Sequence, residues 1–297
     1  MRALVTGGAG FIGSHLVDAL QAAGHDVAVV DHLSRGHTRN LERAIGRGVA
    51  IHKTDVTDVP AMLAVFQAVR PDAVYHLAAQ IDVRRSIADP STDAHVNIGG
   101  TAAVLEAARE VGTPRVILAS TAGVYGDPGT LPTPEHSPIA PLSPYGASKA
   151  AAESYMQLFT RLHGISTLAL RMANVYGPRQ DPHGEAGVVA IFSGAAREGR
   201  TATIYGDGTQ TRDYVHVSDV VRAFVAAGRS PVTGVLNVAT GQETSVFGLA
   251  KQFGLDMQFM PGRAGEIQRS CLNPTAAAHS LGWRAEVVLA DGLESLR

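Results

Sequence analysis

A single cysteine, Cys271, is the first scarcity in this chain of 297 residues. It excludes a disulfide within the chain, which fits a reducing compartment, and a lone thiol in an apolar context reads as a small buried hydrophobe. Charge of one sign is also scarce. The formal net charge is −2 and only 18% of residues are charged, so nothing points to a nucleic acid or an acidic membrane surface as partner. No apolar run approaches the ~18 residues that a membrane span needs. Met1-Arg2 runs into ALVT and then Gly-Gly, too soon for the apolar core of a signal peptide, and the expected location is the cytoplasm. HGE at 183–185 lacks metal-ligand spacing, so no metal is expected. There is no internal repeat, low-complexity tract or flexible linker.

What the chain does have is alternation. Short apolar or β-branched runs fall at 3–6, 27–30, 49–51, 73–75, 115–119 and 166–170. Between them lie helix-like stretches such as FIGSHLVDALQAAG and TAAVLEAAREVG, with apolar residues three and four apart. This predicts an α/β fold with a doubly wound parallel sheet across 1–171. From 172 to 297 the pattern loosens into a smaller, mixed α/β part. The segment DYVHVSDVVRAFVAAG, near 213–228, is expected to return to the first sheet.

The first strand ends in TGGAGFIG, where Gly7, Gly10 and Gly13 give the spacing Gly-x-x-Gly-x-x-Gly. Glycines let the backbone turn tightly and approach a pyrophosphate. The helix beginning at Phe11 and Ile12 then offers its N–H groups to that anion. The context, after a strand and opening a helix, turns a weak spacing into a dinucleotide-binding signal. Asp31 closes the second strand, where a carboxylate accepts from ribose hydroxyls and repels a 2′-phosphate, so NAD is expected rather than NADP. Arg35 lies close enough to weaken that preference. Asp55 and Val56, after the third strand, are placed to cover the adenine.

The stretch SPYGASKAAAESY carries the chemistry. Tyr145 and Lys149 are four apart and share one helix face. A phenol near pKa 10 is a poor base at neutral pH, and bringing it to roughly 7 takes about 4 kcal/mol of differential stabilisation. One ammonium ~4 Å away supplies about that much at an effective dielectric of ~20. Upstream, LASTAGVYG places Ser120 and Thr121 at a strand end, followed by Ala122 and Gly123, neither able to move a proton.

These motifs resemble the extended short-chain dehydrogenases/reductases in their sugar-nucleotide, NAD-dependent epimerase/dehydratase branch. TGGAGFIG, HLAAQ, NIGGT, STAGVYG, YGASK, LRMANVYGPRQ, GDGTQTRDYVHVSDV and NVATG all carry the likeness. YGPRQDPHGEAGVVAIF is most similar to short bacterial UDP-glucose 4-epimerases. The resemblance implies that Thr121 bonds the reacting sugar hydroxyl, Tyr145 is the acid/base and Lys149 tunes it, with Ser120 the weaker candidate beside Thr121. It places Leu77, Ala78 and Ala79 beside the cofactor and assigns Asn174, Arg212 and Arg263 to the sugar nucleotide, where forked guanidinium donors suit a diphosphate. His216 reads as a structural histidine.

Related 4,6-dehydratases follow the hydroxyl residue with Asp-Glu, and related UDP-xylose synthases also keep a Glu nearby. Ala122 and Gly123 stand here instead, which implies C4 epimerisation of a UDP-hexose through a transient 4-keto sugar, UDP-glucose/UDP-galactose first. UDP-glucuronate or a UDP-N-acetylhexosamine is the alternative substrate. Met172-Ala173 replaces an aromatic pair common in such epimerases. Ser270 stands where a bulky Tyr tends to exclude N-acetylated sugars. Arg179, Arg269 and Ser86 are further candidates for sugar selection. A non-catalytic NAD-binding sensor and a net NAD-dependent oxidoreductase are the other readings.

Finally, TAAVLEAAREV and AAAESYMQLFTRL are apolar on more than one face, and in the resembling family the equivalent helices form a two-fold four-helix bundle. A homodimer is therefore expected, with Ala102, Ala103, Ala151 and Ala152 allowing close approach and Tyr155, Met156 and Phe159 supplying larger contacts.

Overall fold

The computed structural model describes residues 1–181, 187–262 and 267–296. Its centre is a seven-stranded, all-parallel sheet. Six strands fall where the β-branched runs predict them: Arg2–Thr6, Asp26–Val30, Ala50–His52, Ala73–His76, Arg115–Thr121 and Ser166–Met172. From Arg2–Thr6 the chain builds outward on one side through Asp26–Val30 and Ala50–His52, then crosses over to add Ala73–His76 on the other. That reversal opens a crevice at the carboxyl ends of the central strands, where doubly wound sheets bind ligands.

Each face of the sheet has its own apolar layer. Leu16, Val17 and Leu20 of the helix Phe11–Ala22 pack with Val220 and Phe224 of the helix Val217–Arg229 on one face. Met62, Phe66, Val104, Leu105 and Met156, from the helices Val59–Val69, Gly100–Val111 and Pro144–His163, cover the other. A third cluster, with Tyr176, Phe192, Ile204, Tyr214 and Leu249, is built from the C-terminal part and small two- and three-stranded sheets. Cys271 is buried, and that burial pushes its thiol up to about 12.

The segment 213–228 meets the main sheet differently from a returning strand. Tyr214–His216 pairs with Asn174–Tyr176, and the helix Val217–Arg229 then lies on the sheet's face. The seventh strand of the sheet is Gly234–Val238, beside Ser166–Met172. An opening glycine and the fully buried Asn237 break its apolar pattern, which is why it does not read as a strand.

The helices expected at a dimer interface divide their residues unevenly. Ala103, Ala152 and Met156 belong to the core beneath them, Ala102, Ala151 and Phe159 are partly covered, and Tyr155, Leu158 and Leu162 are exposed. A helix turned this way spends its alanines on its own sheet and presents the larger side chains outward.

Candidate active site

The loop after Arg2–Thr6 demands its glycines. Gly7 has φ +70°, and a Cβ there would lie 2.7 Å from Ala78 N. A Cβ on Gly13 would lie 2.1 Å from Gly7 O. Only bare backbone lets the loop, the next helix and residues 77–78 crowd together. Gly10 caps the helix with no side-chain hydrogen bond. The N–H groups of Phe11, Ile12 and Gly13 therefore have no intrahelical acceptor, and the positive helix end is open to an anion.

Asp31 locks the same loop. Its Oδ2 accepts from Ala9 N at 2.9 Å and its Oδ1 from Leu33 N at 2.8 Å. Each oxygen keeps a second lone pair for a ribose hydroxyl. Leu77 N donates to Thr6 O and Ala78 N to Thr6 Oγ1, so residues 77–79 line the far side of the loop. Val56 is buried; Asp55 is exposed and accepts from Thr57 N and Oγ1. Arg35 turns away to Asp82, Nη2 to Oδ2 at 3.2 Å, so it is not poised to receive a 2′-phosphate. The glycine loop, Asp31 and 77–79 thus form one cradle that fits a dinucleotide.

Across the crevice, Thr121 ends its strand and caps the short turn Ala122–Val124. Its Oγ1 accepts from Gly123 N at 3.1 Å, which leaves its proton free, and it lies beside the Tyr145 phenol, where it favours the phenolate. Tyr145 and Lys149 lie one turn apart on the helix Pro144–His163, which begins with Ser143 accepting from Gly146 N. The phenol is not near 7, as the sequence argument asks. Burial pushes it up to about 12, against the Thr121 hydroxyl, and Asp93 adds to the rise. Burial also pulls Lys149 down to about 8, against Glu153 and Asp93. A water-poor site penalises the separate charges, so lowering the phenol requires added positive charge beside it.

Ser120 is not brought to the site. It is buried, and its Oγ donates to Glu153 Oε1 at 2.5 Å. Alternation along the strand sends Ser120 inward and Thr121 to the crevice. Glu153 is in turn held by Arg171, which reaches on to the Tyr125 hydroxyl and Glu135 O. Sequence reading missed this pair, although an arginine inside the apolar strand STLALRM and a glutamate four residues after Lys149 were visible signals. It also missed the cluster of Gln80, Asp93 and Asn97, whose Asn97 Nδ2 donates to Ser148 Oγ beside Lys149. Only the motifs HLAAQ, which ends in Gln80, and NIGGT, which begins at Asn97, hinted at it.

On the sugar side, Asn174 is exposed at the start of its strand, and its N–H donates to Asp213 O. Arg212 is next in sequence to Asp213 and pairs in register with Ser270, so the three candidates converge. Arg263 and the HGE stretch lie outside the described residues. Arg179 is tied to Asp18 at 2.7 Å, Arg269 to Glu243 at 2.5 Å, and the buried Ser86 donates to Val83 O at 2.6 Å. Each of these three side chains has a partner of its own in the fold. His216 caps its helix, accepting at Nδ1 from Ser218 N, a structural role. Among the described residues no group of His, Cys, Asp and Glu is placed to hold a metal ion, and no helix is long and apolar enough to cross a membrane.

A dinucleotide cradle facing a hydroxyl, a phenol and an ammonium across one sheet edge places this protein among the short-chain dehydrogenases/reductases. Comparison narrows the class: residues 3–239 match the NAD dependent epimerase/dehydratase family, and the chain belongs to it. It is 48% identical to the UDP-glucose 4-epimerase of Mycolicibacterium smegmatis, over 99% of this chain and 96% of that one. A structure of Thermotoga maritima UDP-glucose 4-epimerase with UDP-glucose superposes with TM-score 0.96 at 43% identity, covering 100% of this chain and 97% of that one. The Thermus thermophilus UDP-glucose 4-epimerase complex with NAD gives TM-score 0.93 at 41% identity, covering 100% and 99%.

Proposed function

We propose that this protein is a UDP-hexose 4-epimerase acting on UDP-glucose and UDP-galactose with tightly held NAD. The observation that carries the reading is the Thr121 hydroxyl beside the Tyr145 phenol, where it favours the phenolate, with only Ala122 and Gly123 beyond it. That pair moves a proton at one hydroxyl, and the residues beside it carry no second acid or base for eliminating water.

The loop at Gly7, Gly10 and Gly13 and the helix end at Phe11 and Ile12 hold the pyrophosphate. Asp31 takes the adenosine ribose, Asp55 and Val56 flank the adenine, and Leu77, Ala78 and Ala79 line the floor. When bound, NAD would supply the hydride acceptor for C4 and the hydride donor for the opposite face. Tyr145 takes the O4 proton as C4 is oxidised and gives it back after the sugar turns. Thr121 fixes that hydroxyl, and Lys149 stabilises the phenolate and grips the nicotinamide ribose. Asn174, Arg212 and Arg263 hold the diphosphate while the 4-keto sugar swings. Closing the crevice protects this intermediate from water.

A neutral C6 group is favoured over glucuronate because Arg179 and Ser86 are committed elsewhere. Ser270 and Ala173 are small, which leaves a UDP-N-acetylhexosamine as the second reading. The protein acts in the cytoplasm as a homodimer.

Purified protein incubated with a panel of UDP-sugars and no added NAD tests the proposal. Interconversion of UDP-glucose and UDP-galactose is expected on chromatography. Faster turnover of UDP-N-acetylglucosamine or UDP-glucuronate would reassign the substrate, and net NADH release would make the protein an oxidoreductase. Bound NAD without turnover would make it a sensor.

A further inference from the structure

Asp93 sits on the short helix Pro90–Ala94, 1% exposed, where a carboxylate has no solvent to stabilise it. Its Oδ1 accepts from Gln80 Nε2 at 2.8 Å and Asn97 Nδ2 at 3.2 Å. Its Oδ2 is buried with no hydrogen-bond partner. Asn97 Nδ2 also donates to Ser148 Oγ at 3.0 Å, which ties this cluster to the helix turn carrying Tyr145 and Lys149. The carboxylate therefore lies against the catalytic turn with one oxygen uncommitted.

Charge accounting separates it from Glu153, the buried acid one helical turn beyond Lys149. Glu153 is neutralised by Arg171 in a close pair. Asp93 makes no ion pair among the described residues, and its field acts on Lys149 and Tyr145. The remaining charged or titratable neighbours do not replace it. His76, behind Lys149, is neutral; Asp82 pairs with Arg35; Arg85 faces Asp89; His95 faces Asp55. Lys149, on the helix packed against that of Asp93, is thus the cation its field reaches, with Glu153 the stronger of the two acids acting on that ammonium.

We propose that Asp93 is a positioning residue for the Tyr145–Lys149 pair: its buried carboxylate is a counter-ion that keeps Lys149 charged and favours the protonated phenol of Tyr145. The inference rests on the active site proposed above. A carboxylate beside the pair favours the ammonium and disfavours the phenolate, so it raises both titrations together. This keeps Tyr145 able to reprotonate the 4-keto sugar, the step that an overly stable phenolate would stall.

The test is the pH profile of kcat for Asp93→Asn, which keeps the Oδ1 acceptor and removes the charge. The whole profile is expected to move to lower pH by about one unit or more. Asp93→Glu, which retains the charge, should keep the parent profile even where kcat falls. The phenolate difference absorbance of each protein, with the signal of its Tyr145→Phe counterpart subtracted, should shift in the same direction. Asp93→Ser gives the same readouts should the amide variant fail to fold. Profiles and phenolate titrations that superimpose on the parent overturn the inference, whatever happens to kcat. Full turnover in Tyr145→Phe would instead overturn the active-site reading beneath it.

Discussion

Arg171 and Glu153 meet inside the protein as a two-point pair, Nη2 to Oε2 at 2.7 Å and Nε to Oε1 at 3.0 Å. Their side chains are 5% and 3% exposed. The pair joins the strand Ser166–Met172 to the helix that carries Tyr145 and Lys149, and Ser120 adds a second strand to the junction. Removing one partner strands the other charge away from water. Arg171→Met or Glu153→Leu should each cost about 3–5 kcal/mol. Urea unfolding measures it, and a loss below about 1 kcal/mol would show that the pair is not holding the helix in place.

Tyr145→Phe keeps the ring and deletes the proton. The fold and the retained NAD should be unchanged while kcat falls by about 10²–10⁴-fold. Turnover within tenfold of the parent would move the acid/base role to another residue.

Much of this site was legible because its constraints are local. Gly7, Gly10 and Gly13 announce a loop whose close approaches forbid a Cβ, and the four-residue step from Tyr145 to Lys149 fixes a shared helix face. The six predicted strands were legible for the same reason, since a buried parallel strand is a short apolar run. Ser120, the weaker candidate beside Thr121, is turned to Glu153 because strand alternation, not adjacency to Thr121, decides which hydroxyl reaches the crevice. The burial that opposes Lys149 at Tyr145 was not legible, because spacing reveals a nearby ammonium but not the desolvation around it. Glu153 with Arg171, and Asp93 with Gln80 and Asn97, are contacts across long stretches of chain. Only the assembled fold brings them together.

We propose that Asp31 sets the preference between NAD and NADP. Its two oxygens hold Ala9 N and Leu33 N, which fixes a negative charge at the end of the second strand, where a carboxylate repels a 2′-phosphate. Asp31→Ala should weaken NAD binding by about 10-fold or more, the worth of a hydrogen bond to a charged group, and raise relative affinity for NADP. A titration in which the parent already prefers NADP would contradict this.

His76 gives the fold an acid limit. Thr101 Oγ1 donates to Asn97 O, so its oxygen is left to accept the His76 Nε2 proton at 3.1 Å. Nδ1 then accepts from Thr6 Oγ1 at 2.7 Å, and every partner is satisfied by a neutral ring. Burial, with Lys149 adding to it, pulls the ring from 6.5 down to about 3. The unfolded chain therefore binds the proton first. The neutral ring's contribution is complete above about 6.5 and is lost as pH falls toward about 3, by up to ~1.4 kcal/mol per pH unit. Unfolding free energies from neutral to acid pH should fall more steeply for the parent than for His76→Gln. Parallel slopes would remove His76 from the acid response.

The helix Pro144–His163 uses both of its sides. Ala152 and Met156 are buried against the sheet, while Tyr155, Leu158 and Leu162 line an outer stripe at helical spacing. Leu162 is 65% exposed, and Val83 and Ile87 on the adjoining helix Val83–Ala88 are exposed as well. Such a patch is costly in water and gains about 25 cal/mol for each Å² that a second copy covers. Two copies meeting by a two-fold axis would set this stripe against itself. Light scattering at micromolar concentration should therefore give twice the chain mass of 31.0 kDa. Leu158→Glu with Leu162→Glu should return it to a single chain mass, because four carboxylates would then face one another across the axis. A parent that scatters as a monomer, or a double variant that remains a dimer, would move the interface off this helix.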